Sequence, residues 1–167
     1  QAYRVLDVVD CAGQQIGNTL KSEDATTGGH QLIAGTAWLF ARTEIDQALD
    51  YLFIDEAGQV SLANVIAMGV SAKNVVLVGD QMQLSQPIQG AHPGGSGVSG
   101  LEHLLGGLAT VPPDRGIFLA ITRRMHPDIC RFISDAVYDG RLQSDGSTIQ
   151  QRINIAAGDD AALVPAG

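Results

Sequence analysis

Three short stretches carry the residues best suited to chemistry, and each follows an apolar run. Asp55 and Glu56 stand directly behind Tyr51-Leu52-Phe53-Ile54. Two adjacent carboxylates at the end of a buried strand are costly without a partner or a task. Neighbouring strand residues point to opposite sides, so the two acids can divide their work. One can hold a hydrated Mg2+, which prefers oxygen ligands and keeps several waters. The other can take a proton from an attacking water. An Asp-Glu pair by itself is better explained as two solvated acids before a turn. The apolar run ahead of it and Ala57-Gly58-Gln59 behind it favour the chemical reading.

The second stretch is Gly79-Asp80-Gln81-Met82-Gln83-Leu84, behind Val75-Val76-Leu77-Val78. Gly79 permits a tight turn or the close approach of a ligand. The Gln83 amide can donate to a phosphate oxygen or orient a water. The third is Thr122-Arg123-Arg124-Met125-His126-Pro127, behind the apolar run 117–121. A guanidinium at a strand end is always charged and suits phosphate oxygens. Taken singly, either arginine is also an ordinary exposed turn residue.

The runs at 51–54, 75–78 and 117–121 are too short for helices and lack polar alternation. Such runs predict strands buried on both faces, as in a parallel sheet under helices. Residues 31–35 read as a further strand ending at Thr36, and 3–9 as a short one. Helices are expected between them. One runs over 61–68, capped by Ser61 and stopped at Gly69. Another covers 99–105, ended by Gly106-Gly107. In the third, Ile129, Phe132, Ile133, Ala136 and Val137 form one apolar stripe. Pro127 suits its first turn, Asp128 its positive end, and Gly140 follows its last turn. Residues 21–30 and 86–100 read as loops. The pattern fades after Gln143, so 143–167 is expected to be a tail or the start of another domain. Strand–helix alternation gives an α/β fold with a mainly parallel sheet. Ligands of such sheets bind beyond the carboxyl ends of the strands.

At 167 residues, the chain is the size of one ordinary domain. Hydrophobic residues make up 45% and charged residues only 17%, which argues against disorder and predicts a buried, sheet-rich interior. The net charge of −8 argues against strong nucleic-acid binding by this chain alone, because that affinity rests on Lys and Arg. Cys11 and Cys130 fit no metal spacing and read as reduced thiols, so a cytoplasmic location is expected. His30, His92, His103 and His126 are scattered. The sequence contains no membrane-spanning run, and no membrane partner is expected. Its two ends read as those of an excised segment.

FIDEAGQ (53–59), GDQMQL (79–84) and RRMHP (123–127) resemble, in order, motifs II, III and IV of the superfamily 1 helicases. The branch is similar to the one holding the nonsense-mediated-decay helicase and the replication nuclease–helicases. The stretch from Gln86 through His92-Pro93 to Ser99-Gly100-Leu101-Glu102, with HPDICRF and YDGRL, resembles bacterial RecB-type nuclease–helicase fusions. The resemblance spans 31–142. It implies a RecA-like P-loop NTPase fold, with 1–142 as part of the first motor domain, and it implies ATP, Mg2+ and a DNA or RNA partner.

By this resemblance, Asp55 would hold Mg2+ on the β- and γ-phosphates and Glu56 would be the base for the hydrolytic water. Gln83 would sense the γ-phosphate. Arg124 would be an arginine finger on the transition-state charge. Gln59 would couple the site to the strand exits, with Gly79 and Asp80 also beside the nucleotide. Thr36 resembles a nucleic-acid backbone contact, and is equally an ordinary strand-end threonine. Two departures stand out. Thr122 and Arg123 occupy places where relatives carry a Gln and an aromatic residue, which weakens any base contact there. No G-x-x-x-x-G-K-[ST] occurs, and residues 13–22 have similar letters at the wrong spacing.

The expectation is therefore a truncated motor domain without its phosphate-loop strand. The N-terminal phosphate-loop segment and the second motor domain would be missing partners. The isolated chain would be inactive and prone to self-association through exposed sheet. Two other readings stay open. One is a non-catalytic, motor-like interaction module. The other is a metal-dependent phosphohydrolase using Asp55 and Glu56, which needs further metal ligands.

Overall fold

The computed structural model describes residues 30–84 and 93–152, and the backbone alone of two short strands before them. Those strands are β1 (Val8–Val9) and β2 (Gln15–Ile16), paired antiparallel. The expected strand 3–9 falls largely outside the described residues, as do the loop 21–29, residues 86–92 and the chain after 152. The P-loop-like letters at 13–22 are described only at the backbone of Gln15 and Ile16. Two compact units follow from the backbone contacts, Gln1–Leu104 and Leu105–Gly167. The fold is α/β, with parallel strand pairs and flanking helices. No helix among the described residues is long and apolar enough to cross a membrane.

The first unit is built on β3 (Leu49–Ile54) and β4 (Ala72–Leu77), which run parallel in register from Leu49 opposite Ala72 to Ile54 opposite Leu77. Parallel neighbours require a crossover, and α2 (Leu62–Gly69) provides it. The Ser61 hydroxyl accepts the Asn64 N–H at 3.4 Å and caps the helix start. At the other end, Ser71 is fully buried and donates its hydroxyl to the Met68 carbonyl at 2.7 Å. A short helix, α1 (Ala37–Phe40), precedes the strands, and α3 (Gly100–Leu105) follows them. The Ser99 hydroxyl caps α3 by accepting the Glu102 N–H at 3.0 Å. Leu52 and Ile54 of β3 pack with Phe40, Ile45, Ala57, Met68 and Ala72 to form the core.

Among the described residues, only one face of this strand pair is covered. Tyr51 and Phe53 are 60% and 66% exposed, and Val75 is 41% exposed. The expectation of strands buried on both faces is therefore corrected. The helical layer shields the side of Leu52 and Ile54, so burial alternates along β3 although the letters do not. The expected strand at 31–35 is also absent. Those residues are irregular, and Thr36 begins α1, its carbonyl accepting the Leu39 N–H at 2.9 Å.

Between the two paired strands, Lys73 Nζ donates to Asp50 Oδ1 at 2.8 Å and Asn74 Nδ2 donates to the Asp50 carbonyl at 3.0 Å. The Lys73 hydrogen bond, helped by its charge, holds the Asp50 carboxyl below its ordinary value of 3.8. The same bond and charge raise Lys73 above 10.5. A depressed acid stabilises above its unfolded pKa and loses that contribution as pH falls through the folded one. A raised base loses its contribution as pH rises through its folded pKa. Lys73→Ala should therefore shift the urea midpoint by a small, constant amount across neutral pH. That difference should vanish in acid below the carboxylate range. A difference that persists there would show that packing, not charge, joins the two residues.

The second unit repeats the motif in miniature. β5 (Ile121–Thr122) pairs parallel with β6 (Gln143–Ser144), and α4 (Pro127–Val137) crosses between them. Pro127 occupies the first turn of α4, and His126 Nδ1 caps it by accepting the Asp128 N–H at 3.3 Å. Gly140 closes the far end at φ 70°, its N–H reaching the Ser134 carbonyl at 2.9 Å.

Two expectations fail in this unit. The run 117–121 is strand only at its last residue, and Ile117, Leu119 and Ile121 are 86%, 76% and 60% exposed. The stripe on α4 is partly outward. Ile129 and Phe132 are exposed, while Cys130 and Ser134 are the buried residues. Cys130 is a free thiol. Ordered structure continues past residue 142, with β6 followed by a 3-10 turn at Gly146–Gln150.

Candidate nucleotide-hydrolysis site

The exits of β3 and β4 interlock through their backbones. The Val78 N–H donates to the Ile54 carbonyl at 2.9 Å, and the Ala57 N–H donates to the Val78 carbonyl at 2.9 Å. Ala57 is completely buried. Gly58 lies so close to Asp80 that an added Cβ would overlap the Asp80 carbonyl oxygen. A Cβ on Gly79 would lie 2.7 Å from the Ala57 nitrogen and 3.0 Å from the Gly58 nitrogen. The neighbours in both cases are main-chain atoms that cannot swing aside. The absence of side chains at Gly58 and Gly79 is what lets the two exits meet.

That contact sets the acids. Asp55 and Glu56 are both exposed at the carboxyl end of β3. Glu56 adopts φ 52°, the left-handed region, at a cost of roughly 1–2 kcal/mol for a non-glycine residue. Strain of this kind persists where the surroundings impose it, and it clusters at functional sites. Here the Glu56 carbonyl accepts the Gln59 N–H at 2.8 Å, and Ala57 is pinned to Val78. The Asp55 Oδ1 atom accepts the Glu56 N–H at 3.0 Å, which leaves its second oxygen for a ligand. This chemistry fits Mg2+, which can be held by one carboxylate plus substrate phosphates and water. Among the described residues, no group of three or more His, Cys, Asp and Glu could hold a metal. The further ligands that the phosphohydrolase reading requires are therefore not assembled there.

On the second exit, Asp80 Oδ1 accepts the Met82 N–H at 2.9 Å and Oδ2 accepts Gln83 Nε2 at 3.3 Å. Asp80 thus organises its own loop and ties down the Gln83 amide. A cleft of about 530 Å³ opens beside Asp55, lined by residues 32–35, by Ala37 and by Leu52, Phe53, Val60 and Met68 among others. Asn64 and Asp55 are its side-chain polar groups.

The structure brings Asp55, Glu56 and Gln59 to one exit and Gly79, Asp80 and Gln83 to the next, interlocked with it. Arg124 belongs to the second unit. It lies on the turn 122–125 between β5 and α4, with its N–H on the Thr122 hydroxyl at 3.3 Å. Thr36 sits at the start of α1, and its side chain makes no capping hydrogen bond. Sequence reasoning missed Gly58 as a contact residue, although its place behind the acid pair was a usable signal. It also missed the residues around the arginine turn. There, Asp145 accepts the Ser147 N–H and hydroxyl, at 2.9 Å and 2.7 Å. These bonds, with the Arg123 charge, lower its pKa.

A family profile described as an AAA domain matches residues 9–88, a span that contains both interlocked exits. The chain is 31% identical over 124 residues to helicase sen1 of Schizosaccharomyces pombe, covering 74% of this chain and 7% of that protein. It is 37% identical over 108 residues to the probable helicase MAGATAMA 3 of Arabidopsis thaliana, covering 63% of this chain and 12% of that protein.

Proposed function

We propose that the chain is part of a superfamily 1 helicase, a reading supported by the AAA-domain match and the two helicase relatives, and that the β3 and β4 exits form the magnesium and γ-phosphate end of an ATP-hydrolysing motor acting on DNA or RNA. The observation that carries this reading is the interlock of residues 56–58 with 79–80. It sets Asp55 and Glu56 beside the Asp80–Gln83 loop at the carboxyl edge of one parallel pair, where α/β sheets bind ligands.

When bound, Mg2+ with ATP would supply the charge that neutralises the phosphates. Asp55 would hold it through the free carboxylate oxygen. Glu56 accepts a proton from the water poised on the γ-phosphate, its strained backbone fixing where the carboxylate stands. Gln83, tied to Asp80, reads whether the γ-phosphate is present. Arg124 places a permanent positive charge against the developing negative charge of the transferring group. Gln59 and Gly79 shape the floor between the exits. Thr36 is a backbone contact for the nucleic acid. The chain spans 7% and 12% of the two relatives it matches, and on this reading the phosphate cradle and second motor domain would lie in other segments of the motor.

In the full-length protein, Arg124→Ala should lower kcat for nucleic-acid-stimulated ATP hydrolysis at least ~10²-fold, in keeping with arginine fingers. Nucleotide affinity should change only a few-fold. An unchanged kcat would remove Arg124 from the mechanism. A second reading, a motor-like module that only binds partners, is favoured by the net charge of −8 and by the bare face at Tyr51 and Phe53. It predicts no Mg2+-dependent hydrolysis in the full-length protein.

A further inference from the structure

We propose that the segment 143–148, which carries none of the recognised motifs, is a cradle that aims Arg124 by holding both sides of its turn. The proposal rests on the reading of Arg124 as the residue that meets the transition-state charge.

The contacts are concentrated on residues 120–125. Gln143 N–H donates to the Ala120 carbonyl at 2.7 Å, and Asp145 N–H donates to the Thr122 carbonyl at 2.8 Å. These bonds fix the chain as it enters the turn. Ser144 Oγ donates to the Met125 carbonyl at 3.0 Å and fixes the chain as it leaves. Arg123 Nε lies 3.6 Å from Asp145 Oδ2, drawing the first arginine toward the cradle. The second is left differently. Arg124 is exposed, and its guanidinium has no hydrogen-bond or ion-pair partner among the described residues. A turn held at entry and exit fixes the backbone from which Arg124 projects, while Arg123 leans on Asp145.

The cradle is itself braced from within. Thr148 Oγ1 lies 2.6 Å from Ser144 Oγ and 2.7 Å from the Asp145 carbonyl, and with the Ser144 proton on Met125 it is the Thr148 hydroxyl that donates to Ser144. Thr148 is only 3% exposed. Behind it, Arg141 Nη1 donates to Thr110 Oγ1 at 2.7 Å, and its guanidinium stacks 4.7 Å over the Phe118 ring. That contact joins the lead-in to β6 to the lead-in to β5. A hydroxyl bridging a carbonyl and a buried partner is a strong geometric constraint. Small displacements of a charge-stabilising group are costly in rate.

Ser144→Ala in the full-length protein should lower kcat about tenfold with KM for ATP unchanged, and Ser144→Thr should restore most of it. Added to Arg124→Ala it should cause no further loss, because it acts through that residue. A full additional loss in the double variant, or no loss in Ser144→Ala while Arg124→Ala is impaired, would overturn the proposal. If Arg124→Ala itself leaves kcat unchanged, the arginine-finger reading has failed. The cradle is then judged by tryptic cleavage after Arg124. Cleavage several-fold faster in Ser144→Ala upholds the cradle, and an unchanged rate overturns it.

Discussion

Glu56→Gln should lower ATP hydrolysis by the full-length protein by about 10²- to 10⁴-fold, the usual contribution of a positioned general base. Mg2+-nucleotide binding should be retained. The substitution is informative because of the backbone it sits on. Glu56 is left-handed at φ 52°, and Gln meets the same steric cost there as Glu. Fold stability should therefore hardly move, and the loss can be assigned to the carboxylate. Glu56→Gly makes a useful contrast. It also lacks the base, yet it relieves a cost of roughly 1–2 kcal/mol, partly offset by the greater freedom of Gly in the unfolded chain. Its thermal midpoint should be no lower than wild type while hydrolysis is lost. A Glu56→Gln protein that hydrolyses ATP at the normal rate would show that another group activates the water.

The second large effect is expected from Gly58→Ala. Its new methyl would collide with the Asp80 carbonyl, and in Gly79→Ala the methyl would come 2.7 Å from the Ala57 nitrogen. Both collisions are with backbone, so the exits must separate. Overpacking of this kind typically costs about 1–3 kcal/mol. Moving the Asp55–Glu56 turn away from the Gln83 loop by an ångström can cost about 10²-fold in rate. Gly69→Ala is the control, since a Cβ there meets only Val75 Cγ2 at 3.8 Å, an ordinary contact. Gly58→Ala should reduce both the denaturation midpoint and kcat, and the control should lower neither. Normal stability and activity in Gly58→Ala would mean that the close contact is not needed for the site.

Much of the local chemistry was legible in the letters. Ser61 and Ser99 cap the helices they were expected to start, and Pro127, Asp128 and Gly140 frame α4 as predicted. These signals are local and depend on one residue and its nearest turn. The apolar runs at 51–54 and 75–78 form strands for the same reason. What failed was burial, which depends on what lies across the sheet. An unbroken apolar run cannot say which face is covered, so Tyr51 and Phe53 were expected inside and lie outside. At 117–121 the alternation of Ile117, Leu119 and Ile121 with Phe118 and Ala120 is invisible because every position is apolar. On α4 the small residues Cys130 and Ser134 face inward and Phe132 faces out, a choice that hydrophobicity alone ranks the wrong way.

The candidate site shows the same division. The acid pair and Gln83 were legible because each follows a strand at its carboxyl end. Gly58 was harder, since its partner Asp80 lies 22 positions away in the numbering. The Ser144–Thr148 brace was harder still, as it depends on a turn that the chain leaves before α4 and meets again only after it. The Asp145-Gly146-Ser147 signature announces a capped turn, but not what the turn holds.

The account turns on Asp55, Glu56, Gln83 and Arg124 serving one nucleotide. The most direct measurement is a structure of the full-length protein with Mg2+, ADP and a fluoroaluminate mimic of the transferring phosphoryl group. The expected result has the Asp55 carboxylate on the metal or one water from it and Glu56 against the apical water. Gln83 and Arg124 should both lie within hydrogen-bond reach of the fluoroaluminate. Mg2+ and nucleotide bound away from the β3 and β4 exits, with Glu56 facing bulk solvent, would contradict it.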